Sequence, residues 1–217
     1  LRKGIRYYLS IKVALIAIFL LPVLAGIRLP FAPIQIIVLE LFMDLGASAG
    51  FVAEPAERNI YERPPPGRSE GSILSASMLK SIAINGFFLF VAVMAVYFAA
   101  GYAGLDEGQA QTWAFSAWIF GHIALAYVSR SEHEPLYELG IFGNRVINLW
   151  ALAAVVFLFA GIYLPVLNRA ISLSHVPLAS VIGIGLFVTF IIGLLEARKI
   201  ISLRAGTPEV PGSAPPL

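Results

Sequence analysis

The chain has 217 residues, of which 59% are hydrophobic, and its 15 Lys and Arg and 13 Asp and Glu residues make up only 13% of the sequence. That charged share is about half of what a typical soluble domain carries, which excludes an ordinary soluble globule. The lack of cysteine excludes disulfides and thiolate metal sites, and a net charge of +2 offers no basic surface for nucleic acid. The class of protein that remains is a polytopic membrane protein in a lipid bilayer.

Six apolar stretches are long enough to cross a hydrocarbon core about 30 Å thick, which requires about 20 residues per helix. The sequence therefore predicts an all-α fold, a six-helix transmembrane bundle that occupies residues 1–205. In chain order, the predicted spans are 8–27, 34–52, 81–100, 112–128, 146–164 and 176–195. The longest loop is 53–80, and the tail 206–217, rich in proline and small residues, is predicted to be disordered.

The distribution of Lys and Arg predicts the orientation, because these residues favour cytoplasmic loops. Twelve cations fall on the side shared by the N-terminus, the second and fourth loops and the tail, and two fall on the other side. Both termini are therefore expected in the cytoplasm, and an orientation without a cleaved signal peptide fits a bacterial inner membrane. The charges of the loops indicate no site of their own.

Three ionisable residues lie inside predicted spans: Lys12 in the first, and Glu40 and Asp44 in the second. Each costs about 2.5 to 3.5 kcal/mol at a helix centre, so such residues normally face the bundle interior and have a partner. The spacing of Glu40 and Asp44 places both carboxylates on one helix face. In a low dielectric they cannot both stay ionised without a cation, so the pair either binds one or takes up a proton. This is the chemistry of a cation or proton pathway.

Lys12 and two nearby glycines each allow two interpretations. Lys12 lies near the start of its span, so its ammonium group either reaches back to the cytoplasmic surface or forms an internal ion pair with Glu40 or Asp44. Gly46 and Gly50 form a GxxxG pattern just after Asp44. This pattern favours close helix packing, and it also permits local unwinding beside the carboxylates.

Other candidate sites are weaker. His122 lies alone in an apolar stretch and is interpreted as a hydrogen-bonded packing residue, and His133 and His175 lie in loops without a paired metal-binding spacing. The sequence contains no Walker A motif, dinucleotide fingerprint or nucleophile elbow.

A family resemblance rests on four segments in the right order. The run PIQIIVLELFMDLGASAGFVAEPAERNIYERPPPGR resembles the sixth transmembrane helix and the following cytoplasmic loop of P-type cation-transporting ATPases of the calcium and sodium/potassium pump type. The start, LRKGIRYYLSIKVA, is similar to the fifth helix of that family. RSEHEPLYELGIFGNRVINLW is similar to the loop before the ninth helix, and GLLEARKII to the end of the tenth.

The resemblance implies the carboxy-terminal transport domain, helices five to ten, of a pump that couples ATP hydrolysis to cation movement through an aspartyl phosphate. The Asp-Lys-Thr-Gly-Thr motif is absent, so the chain itself is not expected to hydrolyse ATP or to hold a cofactor. Mg and ATP, together with phosphorylation, nucleotide and actuator domains, are implied for a longer protein of which this chain is expected to be a piece. The loop 53–80, with Arg63, Pro64 and Pro65, is implied to contact the phosphorylation domain.

The implied ion site departs from the calcium-pump pattern. Asp44 matches a ligand aspartate, whereas Glu40 stands in place of an asparagine, Met43 in place of a ligand threonine and Lys12 in place of a ligand asparagine. Glu132 aligns with a glutamate of the family's eighth helix and marks a possible ion path. Calcium takes six to eight oxygen ligands, and this set supplies few. We therefore expect a reduced site for a proton or a single cation, with Lys12 as a counter-ion.

Two other classes of function stay open at the level of sequence. The chain is alternatively a non-catalytic six-span assembly or regulatory protein, which would have no catalytic domains upstream. A proton-coupled secondary carrier that uses Glu40 and Asp44 would transport without ATP.

Overall fold

The computed structural model describes residues 2–54, 75–131 and 134–205, and helices are the only regular elements in these ranges. In chain order they are α1 (Arg2–Leu24), α2 (Pro33–Val38), a π-helical segment (Leu39–Asp44), α3 (Leu45–Val52), α4 (Ala76–Tyr102), α5 (Glu107–Val128), α6 (Leu136–Leu139), a short 3-10 turn (Ile141–Gly143), α7 (Arg145–Tyr163), α8 (Pro165–Ala170) and α9 (Leu178–Ala205). The all-α prediction is confirmed.

Most of the long helices extend beyond their predicted spans, because capping groups and not hydropathy decide where a helix ends. Helix α4 begins at Ala76, where the Ser75 hydroxyl accepts a hydrogen bond from the backbone of Met78. Helix α5 begins at Glu107, behind a capping box in which the Asp106 carboxylate accepts from the Gln109 backbone at 2.8 Å. Two predicted loops contain the short helices α6 and α8.

Five helical stretches are long and apolar enough to cross a membrane: 2–24, 33–52, 76–102, 145–163 and 178–201. The protein is therefore an integral membrane protein with an all-α polytopic domain. The remaining predicted span, within α5, has a more polar sequence and stays a prediction. Its polarity fits its place in the bundle, since a helix surrounded by other helices has little lipid contact.

Helix α5 lies at the centre of the bundle. It packs against α4, α7 and α9, while α1 packs against α4 and α3 packs against α7. Phe115, Trp118, Ile119 and His122 of α5 are all buried. The polar residues Thr112, Ser116 and His122 of α5 are also buried and therefore face protein.

Contacts between helix ends define two poles. At one pole, Arg6 of α1 donates from Nη2 to the backbone carbonyl of Ser129, directly after α5, at 3.1 Å. At the other pole, Arg28 forms an ion pair with Glu107 at 2.8 Å, and Gln35 donates to the carbonyl of Ser172 at 2.9 Å. Helix α5 therefore runs from one pole to the other.

Some predicted features fall outside the described residues. These are Arg63, Pro64 and Pro65 of the coupling loop, Glu132, His133 and the tail 206–217.

Candidate ion site

The second apolar stretch is interrupted by the π-helical segment Leu39–Asp44, which contains both carboxylates. A π-helical turn pairs residues five apart, and such turns occur mostly at functional sites. The segment joins α2 to α3 without breaking the helical stretch. The irregular part of the backbone therefore contains the two carboxylates. It comes before Gly46 and Gly50, where local unwinding was one of the two interpretations of the sequence.

Lys12 of α1 lies between the two carboxylates. Its Nζ donates to Asp44 Oδ2 at 2.6 Å and also to Glu40 Oε2. Of the two interpretations of Lys12, the internal ion pair is the one present, and it engages both acids. The ammonium group also lies 4.9 Å from the centre of the Tyr8 ring, a cation-π distance. Its role as a counter-ion remains a prediction.

The two carboxylates differ in burial. The Asp44 side chain is 9% exposed, whereas that of Glu40 is 40% exposed and that of Lys12 is 21% exposed. Asp44 therefore forms the inner end of the group and Glu40 the outer end. With both acids ionised, the three side chains carry a net charge of −1.

A fourth residue, His122 of α5, faces the inner end of this group. Its Nε2 lies 3.7 Å from Asp44 Oδ1, and its side chain is fully buried. Neither ring nitrogen has a hydrogen-bond partner among the described residues. The interpretation of His122 as a hydrogen-bonded packing residue is therefore wrong about the hydrogen bond, although the ring does pack tightly.

An aromatic shell surrounds the His122 ring and excludes water from it. Ring centres lie at 5.4 Å for Trp118, 5.7 Å for Tyr7 and 6.5 Å for Trp150. Within the part of the chain that the structure describes, no three or more histidine, aspartate and glutamate side chains are grouped to hold a metal ion.

The two glycines that follow Asp44 allow close packing of α3 on α7. A Cβ added at Gly46 would overlap the Trp150 indole, and one added at Gly50 would lie 2.5 Å from Ile147 Cγ1. Both glycines lie in regular helix, so the packing interpretation accounts for them. Because Trp150 also contacts the His122 ring, this packing helps to fix the inner end of the site.

Replacing Gly46 with alanine is expected to lower the free energy of unfolding by about 1–3 kcal/mol, because the methyl group displaces the buried Trp150 ring. Gly183→Ala is the matched control, since a Cβ at this α9 position meets nothing within 4 Å and alanine favours helix by about 1 kcal/mol. Unfolding of the purified chain in detergent by increasing SDS measures both. Equal effects of the two substitutions would contradict the packing role.

A buried ion pair at the end of α3 was missed in the sequence. Arg130 Nε donates to Glu54 Oε1 at 3.0 Å and to Oε2 at 3.1 Å, and the two side chains are 2% and 4% exposed. Asn144 Nδ2 donates to the same carboxylate and to the carbonyl of Gly50 at 2.8 Å, while its Oδ1 caps α7. These two charges were among the loop charges that indicated no site of their own, and the structure shows that they form a buried structural ion pair.

The C-terminal part of α9 is anchored at the same pole. Glu196 Oε1 accepts from the backbone of Leu136 at 2.6 Å, and its other oxygen pairs with Lys199 at 2.7 Å. Lys199 also donates to the carbonyl of Ser131 at 3.2 Å. The segment between α5 and α7 is thus tied to α3 and α9, next to the point where the chain enters the loop 53–80.

The family is shown by comparison with known proteins. Residues 28–201 match the model of the family described as "Cation transporting ATPase, C-terminus", which covers most of the chain, so the protein belongs to this family. The resemblance seen in the sequence is confirmed.

Individual relatives are similar at a low level. The chain is 23% identical over 199 residues to "Calcium-transporting ATPase 1" of Yarrowia lipolytica, covering 92% of this chain and 21% of that protein. It is 24% identical over 217 residues to "Calcium-transporting ATPase type 2C member 2" of Mus musculus, covering 97% of this chain and 23% of that protein. The chain thus spans less than a quarter of the length of these relatives, and their sources give no support to a bacterial inner membrane.

Proposed function

We propose that this chain is the membrane transport domain of an ATP-driven P-type cation pump, and that Asp44 and Glu40 form half of its intramembrane site. The observation that carries the proposal is the placement of Lys12 between two carboxylates that belong to a π-helical segment. The chain in which they lie belongs to the cation-transporting ATPase family. The relatives' names describe calcium transport. Mg and ATP would bind to the phosphorylation and nucleotide domains of the longer protein and not to this chain.

The transported species is a proton or a single cation. Calcium needs six to eight oxygen ligands, and here an ammonium group already occupies one oxygen of each carboxylate. Lys12 offsets one of the two negative charges at all times, so the site requires only one more positive charge to become neutral. Glu40, the more exposed acid, lies on the side from which an ion enters or leaves.

The loop 53–80 transmits the state of the phosphorylation domain, and Arg63, Pro64 and Pro65 contact that domain. The support from described residues is the anchoring of its first part: the Glu54 carboxylate is held by Arg130 and Asn144. A movement of the loop is therefore passed to α3 and to the segment between α5 and α7.

Asp44→Asn in the longer pump is expected to abolish ion-dependent formation of the phosphoenzyme, because the buried carboxylate is the inner end of the site. Lys12→Ala is expected to preserve phosphorylation and to change which ion supports it. Phosphorylation from labelled ATP with and without each ion measures both effects, with Glu107→Gln, in the exposed ion pair at the other pole, as the control.

Unchanged ion dependence in both Asp44→Asn and Lys12→Ala would overturn the site. Ion uptake by the 217-residue chain alone in vesicles, without ATP, would overturn the pump and favour a secondary carrier.

A further inference from the structure

Large apolar side chains are exposed in the segment between α5 and α7, outside the membrane-spanning helices. Phe142 is 84% exposed, Tyr137 is 66% exposed and Ile141 is 51% exposed. Tyr137 belongs to the short helix α6, and the other two belong to the 3-10 turn that follows it. We call these three residues the apolar tip. Exposed apolar side chains so close along the chain indicate a surface that another apolar phase covers.

The backbone behind the apolar tip is held in place by Arg130. Its Nη1 donates to the carbonyls of Gly140 at 2.8 Å and Ile141 at 3.2 Å. Gly140 has a φ of 72°, which glycine adopts without strain, and a Cβ added at Gly143 would lie 3.1 Å from Arg130 Nη2. The turn thus wraps around a guanidinium group that is itself buried against Glu54. The exposure of the apolar side chains therefore belongs to a fixed conformation.

The length of α7 places this turn at the surface of the bilayer. Helix α7 has 19 residues, which at 1.5 Å per residue corresponds to about 28 Å, close to the hydrocarbon thickness of about 30 Å. Each end of α7 is therefore expected in an interfacial region, and the turn ends at Gly143, just before this helix begins. Arg145, the first residue of α7, is exposed, as a basic side chain among lipid headgroups would be.

A face of α7 suited to lipid begins next to the apolar tip. Four exposed apolar residues are spaced three or four apart along the helix: Val146, Leu149, Leu152 and Val156. This spacing places them on one helix face. Because α7 is long and apolar enough to cross a membrane, acyl chains are the partner that this face fits. Phe142 precedes the first of these residues by four positions, so the apolar tip continues an apolar surface from the bilayer into the loop.

We infer that Tyr137, Ile141 and Phe142 insert into the boundary between headgroups and acyl chains, and that they anchor the segment between α5 and α7 to the leaflet at this pole. The partner is the lipid bilayer itself. Apolar side chains at such a boundary lie about 5–10 Å deep, and a tyrosine ring with its hydroxyl group suits this region. Because Arg130 holds both the turn and Glu54, the anchor also fixes the end of α3 relative to the leaflet.

Spin labels on single cysteines test the inference in the 217-residue chain, in lipid nanodiscs. The chain has no cysteine, so each introduced thiol is the only one present. Phe142→Cys and Ile141→Cys give the two test sites. Leu149→Cys marks the exposed face of α7, and Glu138→Cys, at an exposed polar position of α6, is the matched control.

The measurement compares relaxation of each label by oxygen, which concentrates in lipid, and by a water-soluble nickel chelate. We expect the oxygen-to-nickel ratio at both test sites to be severalfold higher than at Glu138 and to approach the ratio at Leu149. Both test side chains are already exposed, so labelling is expected to leave the fold intact, and helical circular dichroism checks this.

Two results would overturn the anchor. A ratio at Phe142 as low as that at Glu138 would mean that the apolar tip lies in water. Protection of Phe142 from both reagents would mean that protein covers it, either another part of the chain or a second molecule. Neither result bears on the pump proposal, which depends on Lys12 and its two carboxylates and is tested by phosphorylation.

Discussion

Replacing Arg130 with alanine is expected to lower the free energy of unfolding by about 3–5 kcal/mol, the largest effect on stability that we expect from one substitution. The reason is the burial of its partner. The Glu54 carboxylate is 4% exposed, and without the guanidinium it keeps only the Asn144 amide as a described partner. The carbonyls of Gly140 and Ile141, which accept from Arg130 Nη1 at 2.8 and 3.2 Å, lose their donor as well.

Arg28→Ala is the matched control. Arg28 also pairs with a glutamate, at 2.8 Å, but its side chain is 76% exposed and that of Glu107 is 49% exposed. Exposed pairs contribute about 1 kcal/mol or less, so this variant is expected to unfold almost as the parent chain does. SDS-driven unfolding in detergent, followed by helical circular dichroism, measures both. Similar losses for Arg130→Ala and Arg28→Ala would contradict the structural role of the buried pair.

A second variant separates the ion pair from simple packing. In Arg130→Met with Glu54→Gln, no buried charge remains unpaired, and the double variant is expected to be more stable than Arg130→Met alone. If it is equally unstable, the loss comes from packing of the arginine side chain and not from the orphaned carboxylate.

Hydropathy located the membrane helices but not their ends. A run of about 20 apolar residues reports the part of a helix in lipid, whereas α4 and α5 begin about one turn earlier, at the caps Ser75 and Asp106. Helix α5 shows that hydropathy can also understate a helix that lies inside the bundle. Because it lies inside the bundle, it can carry His122 and other polar residues, which weakens the signal by which a span is recognised.

The charged part of the site was predictable because Lys12, Glu40 and Asp44 each violate the apolar pattern around them. Two features gave no such signal. His122 is one of several polar residues of α5, and only the fold brings it to Asp44 from a distant part of the chain. Arg130 and Glu54 are 76 residues apart and look like ordinary loop charges, so their pairing depends on how α3 and α5 end side by side. The π-helical turn likewise has no marker in the sequence.

Replacing Lys12 with methionine is expected to destabilise the chain by about 3 kcal/mol, at the lower end of the range for a buried ion pair that loses one partner, because the lysine is 21% exposed. Methionine keeps most of the side-chain volume, so the loss reports charge and not a cavity. The same SDS unfolding experiment measures it. An effect below about 1 kcal/mol would show that the two carboxylates do not depend on the ammonium group.

Two double variants then identify which acid depends on Lys12. Adding Asp44→Asn to Lys12→Met removes the 9% exposed carboxylate and is expected to restore much of the lost stability, whereas adding Glu40→Gln removes the 40% exposed one and is expected to restore less. The opposite order would mean that Glu40, and not Asp44, is the carboxylate that depends most on Lys12. The expected order means that the buried Asp44 carboxylate, whose other oxygen lies 3.7 Å from His122 Nε2, is the acid that depends most on the Lys12 ammonium group.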